Sequence, residues 1–269
     1  MKTEKRTEIS AKQPAKKHER QFSEAAVSMI ELMSRIFKAQ VLNALSDDTI
    51  NKFADANFKD ANFAREFLFL ATKISKKLRT RFSVERLDAL VKEQLSAVDK
   101  QSKQAFYEKV SKAVGLDPRQ LVNEEGLTAH SNALMLETLI FIQKLRDETL
   151  QNWVTDTVRL MSEGKTLDDI LVQFDNMTEK RKNHADFVTR TQVNMYNSLM
   201  TKARAQNLGI TRAIWVTAKD ERVRPSHNDR NGKEFDLSEG LYSSIDKKHI
   251  IPGVDYQCRC TVKLIIPAD

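Results

Sequence analysis

Apolar residues recur at intervals of three or four from Val27 through Ile30, Met33, Phe37, Val41 and Leu45, which places them on one face of a helix opened by Ser23-Glu24-Ala25-Ala26. A second stripe of Phe63, Phe67, Leu70 and Ile74 predicts a helix between Asn57-Phe58 and Leu78. Ser83-Val84-Glu85-Arg86 reads as a cap opening a third, carrying Leu87, Leu90, Val91 and Leu95. Residues 22–114 are therefore predicted to form a helical domain. Phe53, Phe58, Phe63, Phe67, Phe69 and Phe82 could stack on bases, but most fall on the apolar spacing, and core packing explains them better.

Gly115-Leu116-Asp117-Pro118 interrupts this pattern, because glycine and proline both break a helix, and a linker is predicted over 115–126 with a second domain over 127–269. The dense apolar run from Ala133-Leu134-Met135-Leu136 to Leu160 predicts a long helix over 130–162, buried on much of its surface near its start. Gly164 suits a helix C-terminus, and Thr166 suits the cap of a short helix carrying Leu167, Ile170, Leu171 and Phe174, with Asp169 at its third position. A further helix is predicted over 178–207, ended by Gly209, with Ala185, Val188, Met195, Leu199 and Ala203 on its apolar face. Gln192 falls in the gap of that series, so it should point inward and hydrogen-bond backbone or loop groups near Asp220 to His227. The period then changes: Ala213-Ile214-Trp215-Val216-Thr217 and Thr261 to Ile266 read as strands, and Asn231-Gly232 as a turn before Phe235. The expected fold class is mainly α with a small C-terminal α+β domain, long helices packing on a short sheet within 213–266.

Composition agrees with this picture, since seven Gly and five Pro in 269 residues favour long helices, and 41% apolar residues can support a core. The net charge of +7 is concentrated at one end: Lys2, Lys5, Arg6, Lys12, Lys16, Lys17 and Arg20 stand against Glu4, Glu8 and Glu19. Residues 1–21 are expected to be a basic disordered arm that touches DNA phosphates or an acidic scaffold, or else simply solubilises the chain. No apolar signal-peptide core or membrane-length run is present, so no membrane partner and a reducing compartment are expected.

The candidate chemistry sits near the end. Cys258-Arg259-Cys260 holds both cysteines of the chain, and their spacing makes a mutual disulfide strained. With His227 they could supply three soft ligands to a structural zinc, with Asp255 or His249 as the fourth. The simpler alternative has His227 hydrogen-bonding a loop while the cysteines alternate across a strand, one of them inward. Asp220 and Glu221 beside Arg222 and Arg224 should form local ion pairs that shape the 218–230 loop; a catalytic reading would make Asp220, His227 and Asp229 a nuclease cluster. Gly164-Lys165-Thr166 is not a phosphate loop, because Arg159 stands where the first glycine is needed.

Arg190-Thr191-Gln192, a helix running to Leu208-Gly209-Ile210, Trp215-Val216-Thr217, Asp220-Glu221-Arg222-Val223-Arg224, His227, Asn231-Gly232 and Cys258-Arg259-Cys260-Thr261 resemble, in that order, the Mu F-like phage minor head protein family over about residues 125–269. The sequence departs from the family at Gln192, where a glutamate is common, and at Asp255, where many members have histidine. The resemblance implies a non-enzymatic head-morphogenesis protein of a tailed phage, found inside the capsid after a cytoplasmic phase in the host. Its implied partners are the portal protein and, beyond it, packaged DNA, scaffold or major capsid protein. It also implies structural rather than catalytic roles for Arg190, Gln192, Trp215, Asp220, Arg222 and Arg224 around the polar loop. Related domains occur fused to toxins, but only nine residues follow Cys260, so none is expected here, and the Glu-x-Glu element of ADP-ribosyl transfer is missing from this last region. The competing reading is a metal-dependent nucleic-acid-binding protein or nuclease centred on His227, Cys258 and Cys260.

Overall fold

The computed structural model describes residues 7–46 and 61–267. Lys2, Lys5, Arg6, Phe53 and Phe58 lie outside them. In chain order the elements are β1 (Thr7–Ser10), α1 (Lys16–Ser46), α2 (Ala61–Arg81), α3 (Val84–Val114), a 3-10 turn (Pro118–Gln120), α4 (Glu124–Ser162), α5 (Leu167–Asn207), β2 (Arg212–Val216), α6 (Pro225–Arg230), β3 (Glu234–Asp236), β4 (Leu241–Ser243), β5 (Lys248–Ile250) and β6 (Thr261–Ile266). Long helices with a small antiparallel sheet confirm the expected fold class.

The chain forms two compact units interleaved in sequence: one comprises residues 23–90 with 139–188, the other 1–22 with 91–138 and 189–269. The 115–126 segment is thus a connection between α3 and α4 inside one unit, and not the domain boundary its Gly and Pro imply. Proline serves here as the first residue of the 3-10 turn, behind Asp117, whose carboxylate accepts from the Arg119 amide.

In the all-helical unit the predicted stripes are buried: Ile30, Met33, Phe37 and Val41 on α1, Phe67 and Ile74 on α2, Leu87 on α3. They meet Trp153 and Phe174, whose rings lie 5.7 and 5.4 Å from Phe37, the second pair stacked. The predicted short helix and the 178–207 helix are one element, α5, because no Gly or Pro separates them. Thr178 continues the helix while its hydroxyl donates to the Phe174 carbonyl at 2.9 Å and contacts Ser34 at 3.0 Å. Thr166 and Asp169 form the expected reciprocal cap of α5, and Gly164 closes α4 with positive φ while the Lys165 amide reaches back to the Leu160 carbonyl. α4 starts earlier than predicted, at Glu124, because Asn123 caps it through the Gly126 amide. Leu136 and Ile140, expected in the buried start of that helix, are exposed.

The second unit carries the sheet, in the order β1-β6-β2-β3 and antiparallel throughout, with β4 and β5 forming a separate ribbon. The strand β1 corrects the expectation of a disordered arm for residues 7–21. Ile9 is buried against β6, the Ala11 amide donates to Val262, Asn197 donates to the Lys12 carbonyl, and Lys16 already begins α1. Four residues with a single apolar side chain carry no periodic signal, so tertiary pairing alone orders them. Ala213, Trp215, Phe235, Val262 and Leu264 build the core with Phe106, Tyr107 and Val110 of α3.

A buried polar network lies beside this core. Arg204, 1% exposed, donates to Asp99 at 2.5 Å and to Ser102 at 3.0 Å, while Tyr196 donates to Asp99 and contacts Ser131. The end of α5 is buried on more than the predicted face, since Val193, Tyr196, Met200 and Arg204 are inside while Met195, Leu199 and Ala203 are only half-buried. Gln192 does point inward, as expected, but its amide oxygen accepts from Thr138 of α4 at 3.1 Å and not from the polar loop. The helix supplies a partner closer than the loop.

Candidate metal centre

The chain leaves β2 at Val216 and returns through α6 to β3, and this excursion is closed at its neck. Asn231 accepts from the Thr217 amide and hydroxyl at 3.0 and 3.2 Å, and the Gly232 amide, with positive φ, donates to the Trp215 carbonyl at 2.8 Å. Asn231-Gly232 is therefore the turn that its sequence announces. Pro225 starts α6, which carries His227 and Arg230 into the interior. The fully buried Trp215 ring stands edge-on to His227, centroids 5.5 Å apart at 75°, and lies under the Arg230 guanidinium at 5.2 Å.

Cys258 and Cys260 arrive from the other direction, on the residues leading into β6. Gln257 takes a positive φ, and the Cys258 amide closes a turn on the Asp255 carbonyl at 3.0 Å. From there both thiols turn toward His227. This corrects the alternative in which only one cysteine packs inward: Cys258 is 3% and Cys260 5% exposed, and neither is in a disulfide. Gly253 is required beneath them, because a Cβ there would fall 2.0 Å from the Ser198 hydroxyl; its amide donates to Cys258 Sγ at 3.3 Å.

His227 Nδ1 lies 3.4 Å from Cys258 Sγ and 3.6 Å from Cys260 Sγ. Among the described residues this is the one group of three or more His, Cys, Asp or Glu side chains whose donor atoms all lie within 4.8 Å of one another. A hydrogen bond from Cys260, with help from His227 and the Gly253 amide, pulls the Cys258 thiol down to about 4. Its hydrogen bond to Cys258, then burial and the charge on that sulfur, push Cys260 up. The Trp215 indole N–H makes no full hydrogen bond, yet it stands close enough to Cys260 to favour that sulfur's charged form.

Asp255, expected as a fourth ligand, is on the far side of the imidazole. Its Oδ2 stands 3.4 Å from His227 Nε2, which is buried and lacks a hydrogen bond of good geometry. The carboxylate is held instead by Arg224 at 2.9 Å and Lys248 at 3.6 Å. His249 is elsewhere, its ring against Tyr242.

The loop's ion pairs are long-range, not local as expected. Asp220 receives both guanidinium nitrogens of Arg259, at 2.5 and 2.6 Å, and also the Arg222 amide. Arg224 bonds Asp255 and the Tyr256 carbonyl. These pairs staple the 218–224 loop to the 255–259 turn. Asp229 is paired with Lys233, so Asp220, His227 and Asp229 do not gather as a nuclease cluster. Arg190 remains exposed on α5 near Glu19, a carboxyl that burial holds above its ordinary range. Lys12, Lys16, Lys17 and Arg20 are exposed.

Two residues central to this region carried no sequence signal: Arg230, fully buried, and Asp246, which accepts from it at 2.9 Å. A pocket of about 150 Å³ opens at the site, lined by Ala218, Arg222, Val223, Arg224, His227, Gln257, Cys258, Arg259 and Cys260.

Residues 149–263, from the last third of α4 into β6, match the family model described as Phage Mu protein F like protein. An uncharacterized protein of Haemophilus influenzae is 29% identical over 140 residues, covering 52% of this chain and 30% of its own length. The NAD(+)--arginine ADP-ribosyltransferase EFV of Enterococcus faecalis is 28% identical over 129 residues, 45% of this chain and 26% of that protein. An uncharacterized protein of Methanocaldococcus jannaschii is 36% identical over 66 residues, 24% of this chain and 10% of its own. The chain thus spans less than a third of each of these relatives. No solved structure matches it.

Proposed function

With residues 149–263 matching the model of the Phage Mu protein F like protein family, we propose that this chain is a minor head protein of a tailed bacteriophage that binds the portal inside the head and performs no chemistry of its own. The observation that carries the reading is the extent of the match: it takes in the last third of α4, all of α5, the polar loop, His227 and both cysteines. The engagement of Asp220 and Asp229 in ion pairs supports a structural site, since a metal-dependent nuclease needs carboxylates free for a divalent cation. The segment shared with the Enterococcus transferase is about a quarter of that protein, and its named activity is not carried over. No helix among the described residues is long and apolar enough to cross a membrane. The exposed Lys12, Lys16, Lys17 and Arg20 are the surface proposed to meet packaged DNA or scaffold.

Co-expression with the portal protein of its phage tests this, read by size-exclusion chromatography with light scattering. A stoichiometric complex with the portal ring is expected, and substituting the four basic residues by alanine should flatten the salt dependence of any DNA binding. Failure to bind the portal, together with chelator-sensitive DNA cleavage lost in His227→Ala, would replace this reading by the nuclease.

A further inference from the structure

We propose that His227 Nδ1, Cys258 Sγ and Cys260 Sγ bind one Zn²⁺ ion, with water in the fourth position, facing the pocket at the mouth of the site. The argument begins with distance. Zinc bonds of about 2.0–2.1 Å to nitrogen and about 2.3 Å to sulfur, at a tetrahedral angle, place the two donors roughly 3.6 Å apart. The separations here are 3.4 and 3.6 Å, so both sulfurs already stand at the edge lengths of a tetrahedron built on Nδ1. The three donors converge in the interior without a disulfide.

Chemistry agrees with geometry. Two thiolates and a neutral imidazole are a borderline-soft set that suits zinc and leaves the centre uncharged. The surroundings are those of metal-bound sulfur: the Gly253 amide aims at Cys258 Sγ, and the Trp215 indole N–H has no partner other than the sulfur it faces. The buried Nε2 of His227 is otherwise unexplained. Coordination through Nδ1 requires the proton on Nε2, which then points toward Asp255 Oδ2, the carboxylate–histidine–zinc arrangement that fixes the tautomer of a ligand. Asp255 is thereby a positioning residue and not a ligand. All three ligands line the same pocket, whose remaining wall brings no further His, Cys, Asp or Glu, so water completes the shell. Both sulfurs bind as thiolates, and any thiol proton still held is released to solvent as the Zn–S bonds form. The ion would join α6 to the start of β6, cross-linking the polar loop to the sheet without a disulfide.

Elemental mass spectrometry on the full chain, purified reduced from zinc-supplemented cells, gives the first readout, with about one zinc per chain expected. Replacement by Co²⁺ gives the second: a tetrahedral site with two thiolates shows thiolate-to-cobalt charge transfer and strong visible ligand-field bands. Cys258→Ser and Cys260→Ser should each weaken or remove those bands. Asp255→Asn should keep the bands while lowering metal affinity about 10–100-fold. Should the cysteine variants fail to fold, the wild-type spectrum and Asp255→Asn still decide. A chain that holds no zinc and, when folded and reduced, gives no cobalt bands overturns the proposal. So does a cobalt spectrum unchanged in the folded cysteine variants.

Discussion

The all-helical unit and the sheet-bearing unit bury different chemistry. In the first, Phe37, Trp153 and Phe174 pack their rings within 5.1 to 5.7 Å of one another, and the interior is filled mostly by aliphatic and aromatic side chains that need no specific partner. In the second, Trp215 and Leu264 share the interior with His227, Arg230, Arg204, Gln192 and two thiols, each of which requires a particular acceptor or donor. An apolar core tolerates exchange of its parts so long as volume is kept. A polar core fails when one partner is removed, because the other remains desolvated and unpaired.

The largest effect expected in breaking this contrast is Trp153→Ala, which empties the centre of the aromatic cluster and should cost about 3–5 kcal/mol by denaturant unfolding. A volume-conserving exchange such as Met33→Leu should cost less than about 1.5 kcal/mol. On the polar side, Asp246→Ala leaves the fully buried Arg230 guanidinium without its carboxylate, while Asp246 itself keeps 23% exposure, so water can replace part of what is lost. A cost of about 1–3 kcal/mol is expected, and Arg230→Met in the same background should recover part of it. If both substitutions in the pair prove as mild as a core exchange, the contrast between the units fails.

A smaller effect concerns acid. The Arg259 guanidinium holds the Asp220 carboxyl below its ordinary value, a group lowered on folding. Its contribution is therefore present above the unfolded carboxyl value of about 3.9 and is lost as pH falls through and below it. Asp220→Asn should flatten the acid limb of a stability–pH curve by lowering stability slightly at neutral pH while leaving it nearly unchanged in acid below the carboxyl range. The smallest effect is Lys38→Ala, which removes a surface pair with Asp175 at 2.9 Å and should change stability by about 0–1 kcal/mol.

How much of this could be read beforehand follows the same division. The α1 stripe from Ile30 to Val41 was legible because burial on one helical face leaves a period in the sequence. The continuity of α5 was not, since its polar stretch around Lys180 hides a helix that tertiary contacts maintain. His227, Cys258 and Cys260 were legible as a set from ligand chemistry alone. Asp255 was misplaced because a three-residue spacing does not say on which side of the imidazole the carboxylate falls. Arg230 with Asp246, and Arg204 with Asp99, escaped altogether: a pair separated by 16 or 105 residues leaves no periodic trace.

The pairing of β1 with β6 joins Thr7 to Ile266 in register. During synthesis β1 therefore waits for more than two hundred further residues to leave the ribosome before it finds its neighbour, and the closure spans a loop of that length. The other unit is complete once residue 188 has emerged, so the sheet should consolidate after it.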